Sequence, residues 1–204
     1  MNDAAASVDL DDMQGLLRFG YARHTESCFL LLAITDRDAA RLWLAGAPVA
    51  NAVALAAPPP VVLQVALSCA GLRALGIADA VIDGFSTEFV DGMSGNASRE
   101  RRLGDIGSNA PGNWAWGSKL RVPHVLLLLY ALPGTLADWQ RGIEEGIARG
   151  FEIIARLPGH LGETEPFGFV DGLSQPTLDW QRIRPARDVE LQHYTNLACL
   201  GEFV

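Results

Sequence analysis

Apolar residues gather in four short runs along the chain, at residues 28–34, 61–67, 124–131 and 151–157. Each is four to eight residues long, rich in leucine, valine or isoleucine, and bounded by turn-forming residues. That pattern predicts strands buried in a sheet. Two stretches carry a helical period instead. Asp36 can cap a helix over residues 36–45, where Ala39, Ala40, Leu42 and Trp43 supply one apolar face. Thr135 can cap a second helix over residues 135–148, where Leu136, Trp139, Ile143 and Ile147 recur at helical spacing and Gly150 follows. Ser68 is placed to cap a short helix ending near Gly76. Residues 77–121 show neither period. They read as a long irregular insertion with helical pieces around Glu88 and Arg99, and insertions of that length are functional or disordered.

The order strand, helix, strand, insertion, strand, helix, strand is the βαββαβ order of a ferredoxin-like unit. The predicted fold class is therefore α+β, an antiparallel sheet with helices on one face. The domain is expected over residues 1–158, with the insertion at about 77–121. Residues 159–204 lose the pattern and become loop-rich, and the chain reads as truncated before a second domain of the same kind. A fold of this type fits many activities, so function must be read from a site.

Composition narrows the classes. The formal net charge of -8 repels phosphate backbones, which argues against nucleic acid as a partner. No polybasic run suits an anionic membrane. The longest apolar stretch, residues 125–132, is too short to span a bilayer. The first residues show no basic segment followed by an apolar one, so no secretory signal is expected. Cys28, Cys69 and Cys199 are odd in number and far apart, which fits reduced thiols in a cytoplasmic protein.

The chemistry concentrates in Glu165-Pro166-Phe167-Gly168-Phe169-Val170-Asp171-Gly172-Leu173-Ser174-Gln175-Pro176. Two glycines bracket one carboxylate and two prolines stiffen the flanks. Phe167, Phe169 and Leu173 would place apolar surface beside Asp171 and raise its affinity for a proton, which suits proton transfer. A plain Asx-turn before Gly172 fits the same residues. Gly92-Met93-Ser94-Gly95 and Gly172-Leu173-Ser174-Gln175 approach a hydrolase nucleophile elbow but lack its last glycine and its strand-to-helix setting.

Gly168-x-x-Asp171-Gly172 resembles the GxxDG motif of dye-decolourising haem peroxidases, and the match continues through Ser174-Gln175-Pro176. Met13-Gln14-Gly15, Gly71-Leu72-x-Ala74-Leu75-Gly76, Glu88-Phe89-x-x-Gly92-Met93, Leu103-Gly104-Asp105 and Gly201-Glu202-Phe203-Val204 resemble that family in the same order. The resemblance implies two ferredoxin-like domains with haem b held mainly by the second. It implies that Asp171 is the acid–base residue above the haem, and that Gly172, Leu173, Ser174 and Gln175 line the haem edge. Its substrates would be hydrogen peroxide and bulky organic reductants. The family's haem-ligating histidine and its arginine map onto no residue of this chain, so the isolated chain is expected to be inactive. His124 reads as a partly buried structural residue, His24 as part of a polar approach to the first strand, and His160 and His193 as loop residues. The competing reading is a non-catalytic ferredoxin-like binding or assembly module. Open sheet edges leave room for a homo-oligomer. Trp114, Trp116 and Trp139 could relay electrons in a full enzyme, or simply pack.

Overall fold

The computed structural model describes residues 9–118, 121–160, 162, 164, 167–169, 177–178 and 197–198. The chain forms two compact units, Met1–Leu161 and Gly162–Val204. In the first, strand β1 (Glu26–Ile34) leads into helix α1 (Arg37–Gly46) and strand β2 (Val61–Leu67). Short helices α2 (Cys69–Ala74), α3 (Asp79–Ile82), α4 (Thr87–Asp91) and α5 (Ala97–Leu103) follow. Strand β3 (Val125–Ala131), helix α6 (Leu136–Ile147) and strand β4 (Phe151–His160) complete it. The strands pair in the order β2-β3-β1-β4, all antiparallel. This is the expected α+β, ferredoxin-like βαββαβ arrangement, with 77–121 inserted between β2 and β3. In the second unit, β5 (Thr177–Leu178) and β6 (Leu197–Ala198) pair in parallel.

Alternation along the strands sends one set of side chains toward α1 and α6. Cys28, Leu30 and Leu32 of β1, Leu63 of β2 and Val125, Leu127 and Leu129 of β3 meet Ala40 of α1 and Ile143 and Ile147 of α6. Trp43 crosses Phe151 edge-on at 5.9 Å, and Trp139 packs against the same core. A fully buried leucine is worth roughly 1.5–3 kcal/mol, and Leu30, Leu32, Leu63, Leu127 and Leu129 are all fully buried.

Several predicted boundaries move. β4 runs to His160 rather than 157, because β1 begins two residues early and gives it partners: Glu26 faces His160, Ser27 faces Gly159 and Cys28 faces Pro158. Pro158 is tolerated there because β4 lies at the sheet edge, where a missing N–H costs least. β3 begins at Val125 rather than 124, since the His124 ring is used otherwise, as described below. Asp36 caps α1 as expected, accepting from the Ala39 amide at 2.9 Å. Ser68 likewise caps α2, accepting from the Gly71 amide at 3.0 Å. Thr135 does not cap α6: its hydroxyl donates to the carbonyls of Leu132 at 2.8 Å and Pro60 at 3.2 Å. Glu26 does that work from β1. Its carboxylate accepts from the Gly134 amide at 2.8 Å and the Leu136 amide at 3.3 Å.

Candidate functional site

Of the loop around the GxxDG motif, the described residues are Phe167, Gly168 and Phe169. Gly168 has a φ of +83°, in the left-handed region that a side chain disfavours. Phe167 and Phe169 are 89% and 73% exposed, and Asp171, beside which the sequence places their apolar surface, is not among the described residues. Asp171, Gly172, Leu173, Ser174 and Gln175 lie outside the described residues, as do His193 and Cys199.

The three described histidines have distinct settings. His124 opens β3. Its main-chain N–H donates to Leu32, and its Nδ1 accepts from the Ile34 amide at 2.9 Å. That ring is a structural acceptor for β1, and burial pushes its pKa below the ordinary 6.5. His24, in the approach to β1, is buried: it is only 2% exposed, with Nε2 2.8 Å from the Pro59 carbonyl. A carbonyl can only accept, so Nε2 carries the proton of that bond. The flanking main chain is held by Tyr21, whose ring stacks on Tyr130 at 5.5 Å and meets His24 edge-on. His160 is exposed at the end of the edge strand rather than in a loop.

Other candidates resolve as structural. Ser94 of the hydrolase reading is buried and its hydroxyl donates to the Gly117 carbonyl at 3.4 Å. It follows helix α4 rather than a strand, so no nucleophile elbow forms there. Cys28 and Cys69 are free and buried, and burial pushes the Cys28 thiol up. The Trp114 indole donates to the Asn109 carbonyl at 2.9 Å. No cluster of three metal-ligating side chains occurs among the described residues. None of the described helices is long and apolar enough to cross a membrane.

Sequence reasoning missed two polar anchors. The Gln14 side chain exchanges two hydrogen bonds with the main chain of Val65, both at 2.8 Å. The buried Gln64 donates to the Ala50 and Leu63 carbonyls and accepts from the Leu16 amide at 3.0 Å. A lone glutamine inside the apolar run Val61–Leu67 was the available signal, since a buried amide must find partners.

These features define an α+β ferredoxin-like domain followed by a segment that carries a glycine-bracketed carboxylate motif. No family model matches the chain. Among curated proteins it is 29% identical over 189 residues to a dye-decolorizing peroxidase of Mycetinis scorodonius, and 29% identical over 187 residues to one of Exidia glandulosa. Each alignment covers 86% of this chain and 35% of the relative. A solved fungal DyP-type peroxidase from Auricularia auricula-judae superposes with a TM-score of 0.68 at 24% identity, over 89% of this chain and 40% of that one. The chain is thus similar in sequence to dye-decolorizing peroxidases and shares a fold with a solved one, and it spans about a third of the length of the curated relatives it matches.

Proposed function

We propose that the complete protein to which this segment belongs is a haem-dependent peroxidase of the dye-decolorizing type, reducing hydrogen peroxide and oxidising bulky organic reductants. The observation that carries this reading is the sequence likeness to curated peroxidases over 86% of the chain, with the fold shared along the same length. Haem b, when bound, would supply the redox chemistry. The described residues do not fit the role of its axial ligand well. His24 and His124 are committed to the main chain, and His160 is an exposed edge residue. By the resemblance the proximal ligand is expected outside this chain; His193 is not among the described residues.

The contribution of this chain is acid–base work and shaping of the haem edge. Asp171 would accept a proton from the peroxide oxygen that stays and return it to the oxygen that leaves as water. The main chain of Gly172, Leu173, Ser174 and Gln175 would lie along the haem edge, and the left-handed turn at Gly168 fits a loop that must change direction sharply before the carboxylate.

Haem titration tests the division of labour. The complete protein should show a sharp Soret band at one-to-one stoichiometry and peroxide-dependent bleaching of an anthraquinone dye. The 204-residue chain alone should show neither. A stoichiometric Soret band in the short chain, lost on replacing His160 or His193, would overturn the assignment of the ligand. Absence of peroxide-dependent turnover in the haem-loaded complete protein would favour the non-catalytic reading.

A further inference from the structure

Within the first unit, residues of 19–24, 48–53 and 55–61 line a half-open cavity of about 550 Å³. That volume is in the range of sites for small organic molecules. Its wall is mainly apolar, with Phe19, Val49, Val53, Leu55 and Pro59 contributing. Leu55 is 65% exposed at this wall.

The wall is held in place by Tyr21 and His24. Tyr21 adopts a left-handed φ of 49°, a conformation that costs a non-glycine residue energy and recurs at binding sites. Its stack on Tyr130 anchors this segment to β3, and the bond from His24 to Pro59 ties two sides of the cavity together.

Two donors line this apolar space. Arg23 is exposed and has no hydrogen bond or ion pair among the described residues. Asn51 spends its Oδ1 on the Val53 amide at 3.2 Å, and its NH₂ donates to nothing among the described residues. A guanidinium and an amide at the wall of an apolar cavity complement a flat molecule with one anionic end.

We propose that this cavity binds a small aromatic carboxylic acid, with its ring against Phe19, Val53 and Pro59 and its carboxylate at Arg23 and Asn51. The proposal stands apart from the peroxidase reading, because it needs neither haem nor Asp171.

Benzoate is the probe, with benzamide as its neutral counterpart, titrated into the isotope-labelled full chain and followed by amide chemical shifts. Benzoate should bind saturably, with shifts centred on residues 19–24 and 48–61, and benzamide should bind on the order of tenfold more weakly. Arg23→Gln should weaken benzoate by about tenfold and leave benzamide unchanged, while Arg23→Lys should retain most of the benzoate affinity. Because Arg23 is exposed, these variants should fold as the parent does. Non-saturable shifts, saturable shifts centred elsewhere, or equal benzoate affinity in parent and Arg23→Gln would each overturn the proposal.

Discussion

A carboxylate that moves a proton between the two oxygens of peroxide must be ionised before it acts. In the proposed role Asp171 acts as a base only when ionised, so activity of the complete enzyme should fall as the pH drops into the carboxylate range. Asp171→Asn keeps the size and removes the basic oxygen. It should leave haem absorbance nearly unchanged and slow the first reaction with peroxide by on the order of 10²-fold or more. Stopped-flow mixing measures this; a rate within a few-fold of the parent would reduce Asp171 to a turn residue. His124 gives a second test at this scale. Its pKa is lowered by burial in the folded chain, so below about 6.5 the unfolded chain binds the extra proton first. The stability it contributes is therefore present above that pH and is lost as pH falls toward the folded value. His124→Asn retains an acceptor for the Ile34 amide without the titration. Urea unfolding at about pH 7.5 and about pH 5.5 should show a smaller acid loss in the variant than in the parent. An equal loss would place the acid sensitivity elsewhere. At this scale the sequence was legible where a side chain acts on its neighbours, as at Asp36 and Ser68. It was not legible at His24, because nothing in Arg23-His24-Thr25 announces a carbonyl thirty-five residues away.

Helix α6 depends on a residue from a different element. Its first amides are met by Glu26 of β1 rather than by Thr135. A carboxylate there satisfies donors that the helix leaves open and complements the positive end of its dipole. Glu26→Ala should cost about 1 kcal/mol in denaturant unfolding, and Glu26→Gln less than that. Thr135→Val should have little effect on the helix start if this assignment holds, whereas a larger loss from Thr135→Val than from Glu26→Ala would return the cap to Thr135. Glu144 and Arg156 join α6 to β4 by two parallel bonds of 2.9 and 2.6 Å. The guanidinium holds the Glu144 carboxyl below its usual value, but exposure limits the worth of such a pair. Element types were legible because periods of 2 and 3.6 residues differ sharply. The ends were less so, since β4 past residue 157 is a strand only because β1 starts at Glu26 and pairs with it. Of the pieces that resemble the peroxidase family, several have structural roles in the described domain. Gln14 binds β2, and Gly71 lies where any Cβ would strike the His124 carbonyl at 2.0 Å.

The whole first unit is a sheet whose two margins are treated differently. On the β4 side, no further strand pairs among the described residues. On the β2 side, the Ala50 amide donates to Leu63 at 3.0 Å, and the Gln14 side chain occupies both main-chain groups of Val65. The sequence disclosed the sheet but not this closure, because one side chain imitating a strand leaves no periodic trace. The imitation has a measurable correlate in isotope exchange. The Val65 amide sits on a margin yet should exchange with deuterium like an interior one, since its escape to water requires the whole Gln14 segment to lift. Gln14→Ala should speed exchange at Val65 on the order of tenfold and leave Leu127 at the sheet centre unaffected. Equal exchange in parent and variant would show that the segment shields Val65 without this bond. A margin held by the Gln14 side chain and the Ala50 amide also gives the sheet a direction: among the described residues β4 offers its edge to a further strand, whereas β2 offers its own only after both of those groups let go.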